Sequence, residues 1–251
     1  MTEQWIVVGS RRVRYVEAGA GAPIIFAAGL GISADFYRPN IAALAHAGFR
    51  AIAPDLPGFG KTRGPWFGAD VGMLAQHLAD FARTLGVSHA GWIGHSLGCQ
   101  PLLHVAGDHP ELVDAFVLAG PTGGYEHRKL NQARALAAAA VQEPWRLLKA
   151  VLRDYARLSP FNYVGAWIKA ANDDPVRAAQ RTRQPALILV GTRDRVPPAE
   201  LLGNLSKHLD AEVLKLPAGN HGLPLDAQQE FDQAVVKFFR RALPPGQPGR
   251  S

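Results

Sequence analysis

Residues 94–98 read Gly94-His95-Ser96-Leu97-Gly98, directly after the apolar run His89-Ala90-Gly91-Trp92-Ile93. A serine between two glycines, at the end of a strand and the start of a helix, puts a hydroxyl on a sharp turn and presents it to a substrate. Glycine suits both flanks because a Cβ there would meet the neighbouring strand or helix. On this reading Ser96 is a nucleophile. A serine hydroxyl reacts poorly at neutral pH, so it needs a base to take its proton and a carboxylate to orient that base. Both should lie just past strands, because ligands of parallel sheets bind beyond the carboxyl ends of the strands.

Working outward, residues 5–8 and 13–16 are strand-like and flank Gly9-Ser10, a hairpin signal. The runs at 23–28, 116–119 and 186–190 are apolar, as buried central strands are, Arg50-Ala51-Ile52-Ala53 is a further short run, and 212–216 reads as the last strand. Helices are expected near 41–47, 71–85, 100–106 and 228–242; the second carries Val71, Leu74, Leu78, Phe81 and Leu85 at helical spacing. Strands alternating with helices after a hairpin predict an α/β fold with a mostly parallel, doubly wound sheet of about eight strands.

The rhythm breaks between Leu118 and Ala186, where helical patterns at 130–141 and 145–158 appear without a strand. Residues 122–183 therefore read as a helical cap insertion in a core of residues 1–121 and 184–243, with a disordered tail at 244–251. The stripe Trp145, Leu148, Val151, Leu152, Tyr155 and Leu158 reads as packing surface ahead of substrate groove.

After the 186–190 strand comes Gly191-Thr192-Arg193-Asp194-Arg195, and after the last strand Pro217-Ala218-Gly219-Asn220-His221-Gly222. Asp194 alone could be a turn or capping residue, and His221 alone a surface histidine. The order Ser96, Asp194, His221, each behind its own strand, is far more specific than any member and gives nucleophile, acid and base. The other eight histidines fit the base poorly, lying in expected helices or before the last strand. Attack on a carbonyl creates an oxyanion that needs two preorganised donors. The expected pair is the backbone N–H of Leu97, opening the helix after the nucleophile, and that of Leu30 in the loop Ala28-Gly29-Leu30-Gly31.

By these residues the chain resembles the α/β-hydrolase superfamily over nearly its whole length. Asp55-Leu56-Pro57-Gly58-Phe59-Gly60-Lys61-Thr62 is similar to the family's loop after the fourth strand. One departure stands out: many members carry His-Gly before the oxyanion residue, where this chain has Ala28-Gly29. Related dehalogenases and epoxide hydrolases use aspartate at the turn, so serine disfavours those activities. Cys99 stands where a small residue is usual and reads as core packing.

Other classes find less support. Gly60-Lys61-Thr62 suggests a phosphate loop, but the required earlier glycine falls on Asp55. There is neither a dinucleotide glycine fingerprint nor a metal-ligand cluster, so no cofactor and no metal is expected. The net charge of +6 comes from scattered basic residues without interleaved aromatics, which reads as a solvated surface and not a nucleic-acid site. One cysteine among 251 residues, no leader-like N-terminus and no run of membrane-spanning length suggest a cytoplasmic protein, monomer or homodimer, without nucleic-acid or membrane partners.

The expected activity is that of a carboxylesterase-like serine hydrolase cleaving a small or medium acyl ester through an acyl-enzyme. The resemblance leaves room for thioester, lactone or carbon–carbon bond hydrolysis and for perhydrolysis by the same residues, and for a ligand-sensing receptor with very slow turnover.

Overall fold

The computed structural model describes residues 1–124, 154 and 159–243. Eight strands form one sheet: β1 (Thr2–Val8), β2 (Arg11–Ala18), β3 (Pro23–Ala27), β4 (Arg50–Pro54), β5 (Ala90–His95), β6 (Val113–Ala119), β7 (Ala186–Gly191) and β8 (Glu212–Leu216). Their order is β1-β2-β4-β3-β5-β6-β7-β8. β1 pairs antiparallel with β2, and β2 with β4; all later pairs are parallel. The expected α/β architecture with an N-terminal hairpin is therefore the observed one.

Helices α1 (Arg38–His46), α2 (Val71–Thr84) and α3 (Cys99–Asp108) follow β3, β4 and β5. Next come α4 (Pro160–Ala170), α5 (Pro175–Ala179), α6 (Ala199–Leu209), α7 (Leu223–Asp226) and α8 (Gln228–Ala242). α1 packs with α8, while α2, α3, α5 and α6 pack in succession on one another. With helices on both faces the central strands have no solvent side, and every residue of β5 is buried. That is why these strands read as unbroken apolar runs. α2 begins where Asp70 accepts the N–H of Met73 at 2.7 Å, and buries Val71, Leu74, Leu78 and Phe81 as their spacing predicts.

The expected helical stretches at 130–141 and 145–158 lie outside the described residues, Asp154 excepted, as does the tail. Among the described residues between β6 and β7 there are helices α4 and α5 and no strand. No helix among the described residues is long and apolar enough to cross a membrane.

The loop after β4 is organised by charge. Buried Asp55 accepts the N–H groups of Ala34 and Lys61, each at 2.7 Å, and faces the Arg14 guanidinium at 3.3 Å. Arg14, itself fully buried, also pairs with Glu3 at 2.9 Å and Asp35 at 2.6 Å. Burial opposes its charge, but the hydrogen bonds to Asp35 and Glu3 and the Asp55 carboxylate more than offset this and raise its pKa. The Asp55–Thr62 segment thus anchors β2, β4 and the turn before α1.

His77 on α2 is buried, and its Nε2 has no hydrogen-bond partner among the described residues. Burial, reinforced by the Arg11 charge, pushes its pKa down to about 4. The unfolded chain takes up this proton near pH 6.5 and the folded one only near 4, so the associated stability is present above pH 6.5 and lost as pH falls between these values. His77→Leu is expected to be less acid-sensitive than the parent. The difference in unfolding free energy between the two proteins should change by up to ~1.4 kcal/mol per pH unit in that window. Urea denaturation at several pH values measures it; parallel pH profiles would show that His77 does not titrate as described.

Candidate active site

The register of the central strands brings several loops to one edge. Ala27 of β3 lies beside Gly94 of β5, His95 beside Ala119 of β6, and Gly191 of β7 beside Leu216 of β8. β5 occupies the middle of the parallel part of the sheet, so the turn at its carboxyl end is flanked from both sides.

Ser96 comes immediately after β5 with φ of 54°. A non-glycine residue in this left-handed region costs roughly 1–3 kcal/mol and persists only where its surroundings impose it. They do so here through the flanking glycines. A Cβ on Gly98 would collide with the carbonyl oxygen of Ala27, and one on Gly94 would lie 2.8 Å from the Cα of Cys99. The chain turns through Ser96–Gly98 and enters α3 at Cys99. The Cys99 sulfur is buried 3.3 Å from the Gly94 carbonyl oxygen, and burial pushes its thiol pKa far up, as suits a packing residue.

The structure brings Ser96, His221 and Asp194 together although 125 and 27 positions separate the bonded pairs. Ser96 Oγ lies 2.8 Å from His221 Nε2, and His221 Nδ1 lies 3.0 Å from Asp194 Oδ2. The Asp194 side chain is fully buried and that of His221 is 12% exposed. Asp194 Oδ1 accepts the N–H of Val196 at 2.9 Å, which fixes the carboxylate plane. Backbone bonds from Arg193 N–H to Gly219 at 3.0 Å and from Thr192 N–H to Leu216 at 3.0 Å tie the loops after β7 and β8 together. An ionised carboxylate only accepts, so His221 carries its proton on Nδ1 and offers Nε2 as acceptor to the serine O–H.

Leu97 lies in the first turn after Ser96 and is buried. Leu30 lies in the turn closed by Ile32 N–H to the Gly29 carbonyl at 3.2 Å. That turn packs on the strand end: a Cβ on Gly29 would sit 3.4 Å from His95. Leu30 and Leu97 therefore flank the same corner from β3 and β5.

Sequence reasoning passed over the groups that hold the Leu30 loop. The Gly29 N–H is bonded to the Tyr37 hydroxyl oxygen at 3.2 Å, and that hydroxyl lies 3.0 Å from His95 Nδ1. Asp154 accepts both the N–H of Ser33 at 2.9 Å and its hydroxyl at 2.8 Å. These contacts hold the loop that starts with Ala28-Gly29. The one available signal was a histidine inside the Gly94–Gly98 turn.

Comparison with known proteins agrees with this architecture. The alpha/beta hydrolase fold family matches residues 22–155. The dihydrolipoyllysine-residue acetyltransferase component of the acetoin cleaving system of Pseudomonas putida is 28% identical, across 93% of this chain and 68% of that protein. The 2-hydroxy-6-oxo-6-(2'-aminophenyl)hexa-2,4-dienoic acid hydrolase of Metapseudomonas resinovorans is 26% identical, across 95% of this chain and 91% of its own length. Among solved structures, an esterase from Exiguobacterium antarcticum superposes with a TM-score of 0.84 at 17% identity, covering 95% of this chain and 100% of that one. With its strand order, its strained serine turn and a family match over more than half its length, the chain belongs to the alpha/beta hydrolase fold family and is a hydrolase of that fold.

Proposed function

We propose that this hydrolase cleaves a small or medium acyl ester through an acyl-enzyme on Ser96. The observation that carries the reading is the continuous chain from Ser96 Oγ to His221 to Asp194, with contacts of 2.8 and 3.0 Å. Ser96 Oγ attacks the carbonyl carbon while His221 Nε2 takes its proton. Asp194 stabilises the resulting imidazolium and keeps its Nδ1–H in place. The N–H groups of Leu30 and Leu97 receive the developing oxyanion. His221 then passes its proton to the leaving alkoxide. In the second half a water gives a proton to His221 and attacks the acyl carbon, and Ser96 Oγ leaves as the proton returns to it. The residues of 122–183 would shape the acyl pocket.

The dienoic acid hydrolase among the relatives supports a second reading, in which the same three residues hydrolyse a carbon–carbon bond beside a ketone. One experiment tests the first reading and separates it from the second. A fluorophosphonate should label the protein at Ser96, with one adduct per chain by mass spectrometry. Steady turnover should be seen on p-nitrophenyl esters and fall with longer acyl chains. Labelling with no ester turnover but turnover of a 2-hydroxy-6-oxo dienoic acid selects the second reading. A single burst without turnover on either substrate indicates a slow, receptor-like protein, and absence of labelling overturns the mechanism.

A further inference from the structure

His95 is buried, and its two hydrogen bonds leave it one neutral form. Nε2 lies 3.0 Å from the backbone carbonyl oxygen of His221, which can only accept, so Nε2 bears the proton. Nδ1 then holds a lone pair, and the Tyr37 hydroxyl 3.0 Å away must donate to it. The Tyr37 oxygen in turn accepts the Gly29 N–H at 3.2 Å. The bonds run in one direction, from Gly29 N–H to the Tyr37 hydroxyl, to His95 Nδ1, and from Nε2–H to the His221 carbonyl. Neither ring can turn without breaking the series. Phe36 stacks on His95 at 5.6 Å with a 13° interplanar angle, and Tyr37 meets it edge-on at 5.9 Å and 82°.

The ends of this series coincide with the parts of the proposed mechanism. Gly29 precedes Leu30, His95 precedes Ser96, and the terminal carbonyl belongs to His221. We propose that Tyr37 and His95 are positioning residues that lock the oxyanion loop, the nucleophile turn and the base into one register; as a catalytic role this rests on the serine-hydrolase reading above. The series fixes the Leu30 loop through Gly29, although Ala28 has no polar side chain with which to do so. A misplacement of about 1 Å at a reacting group can cost about a hundredfold in rate, so a fixed register matters to the chemistry.

The test combines imidazole nitrogen NMR with kinetics on Tyr37→Phe, His95→Gln and His95→Asn. In the parent protein His95 should show the Nε2–H tautomer, and Tyr37→Phe should shift the resonances of both His95 and His221. On p-nitrophenyl acetate, Tyr37→Phe should lower kcat about tenfold to a hundredfold with KM within about twofold. A glutamine amide reaches the Nε2 position and an asparagine amide only the Nδ1 position. His95→Gln should therefore retain more kcat than His95→Asn at matched thermal stability. An Nδ1–H tautomer in the parent overturns the proposal. So does a Tyr37→Phe protein with unchanged kcat and unshifted His221. If the parent neither reacts with fluorophosphonate at Ser96 nor turns over ester, the serine-hydrolase reading fails. The tautomer and the His221 shift then still decide whether Tyr37 and His95 set the His221 register.

Discussion

Replacing Ser96 by Ala is expected to lower kcat on a p-nitrophenyl ester by about 10⁵- to 10⁶-fold while the protein stays folded. The loss is large because the acyl-enzyme route ends with the hydroxyl. Leu30 and Leu97 N–H groups could still polarise a bound carbonyl, so a residual rate above that in water is expected. Stability should change little. Alanine keeps the Cβ, so the φ of 54° is neither relieved nor worsened. The hydrogen bond of Ser96 to His221 is lost, which costs about 1 kcal/mol. Circular dichroism melts and active-site titration with the fluorophosphonate separate this outcome from unfolding. A Ser96→Ala protein that keeps turnover within tenfold of the parent would remove Ser96 from the mechanism.

What the sequence disclosed depended on physical range. The parallel strands were legible because helices cover both faces of the sheet, which makes 23–27, 51–54 and 186–191 apolar throughout. β1 was less so: it starts at Thr2, three residues before the expected start, because pairing with Glu17 extends it through polar, exposed positions. Asp194 and His221 could be found because a parallel sheet gathers the loops after its strands, so chain order alone carries spatial information. The supports around them carried no such signal. Arg14 and Asp55 are 41 positions apart, and Tyr37 and His95 are 58 apart. Each pair meets only because of strand order, β2 beside β4 in the first case and β3 beside β5 in the second. Local pattern specifies which segments are strands; which polar side chains meet depends on sheet order and on the path of the loops.

Asp194→Asn should lower kcat by about 10⁴-fold, and the hydrogen bonds of Asp194 indicate how. Its Oδ1 already accepts the Val196 N–H at 2.9 Å, and its Oδ2 faces His221 Nδ1 at 3.0 Å. An asparagine has one carbonyl oxygen, and Val196 can be satisfied only by that oxygen. The amide NH₂ then faces His221 and donates to Nδ1. Nδ1 must lose its proton to accept, so the proton moves to Nε2 and His221 meets Ser96 as a donor instead of an acceptor. The base is still present and correctly placed but in the wrong tautomer. Raising the pH should not restore the rate, because pH does not change which group of the amide faces Nδ1. Thermal stability should stay near that of the parent, since the substitution is isosteric and keeps the Val196 contact. Nitrogen NMR of His221 should report the Nε2–H form in the variant and the Nδ1–H form in the parent. If Asp194→Asn retains activity within tenfold, another carboxylate serves His221. Asp226, which accepts the Asn220 N–H at 2.8 Å in the same loop, is the group to replace next.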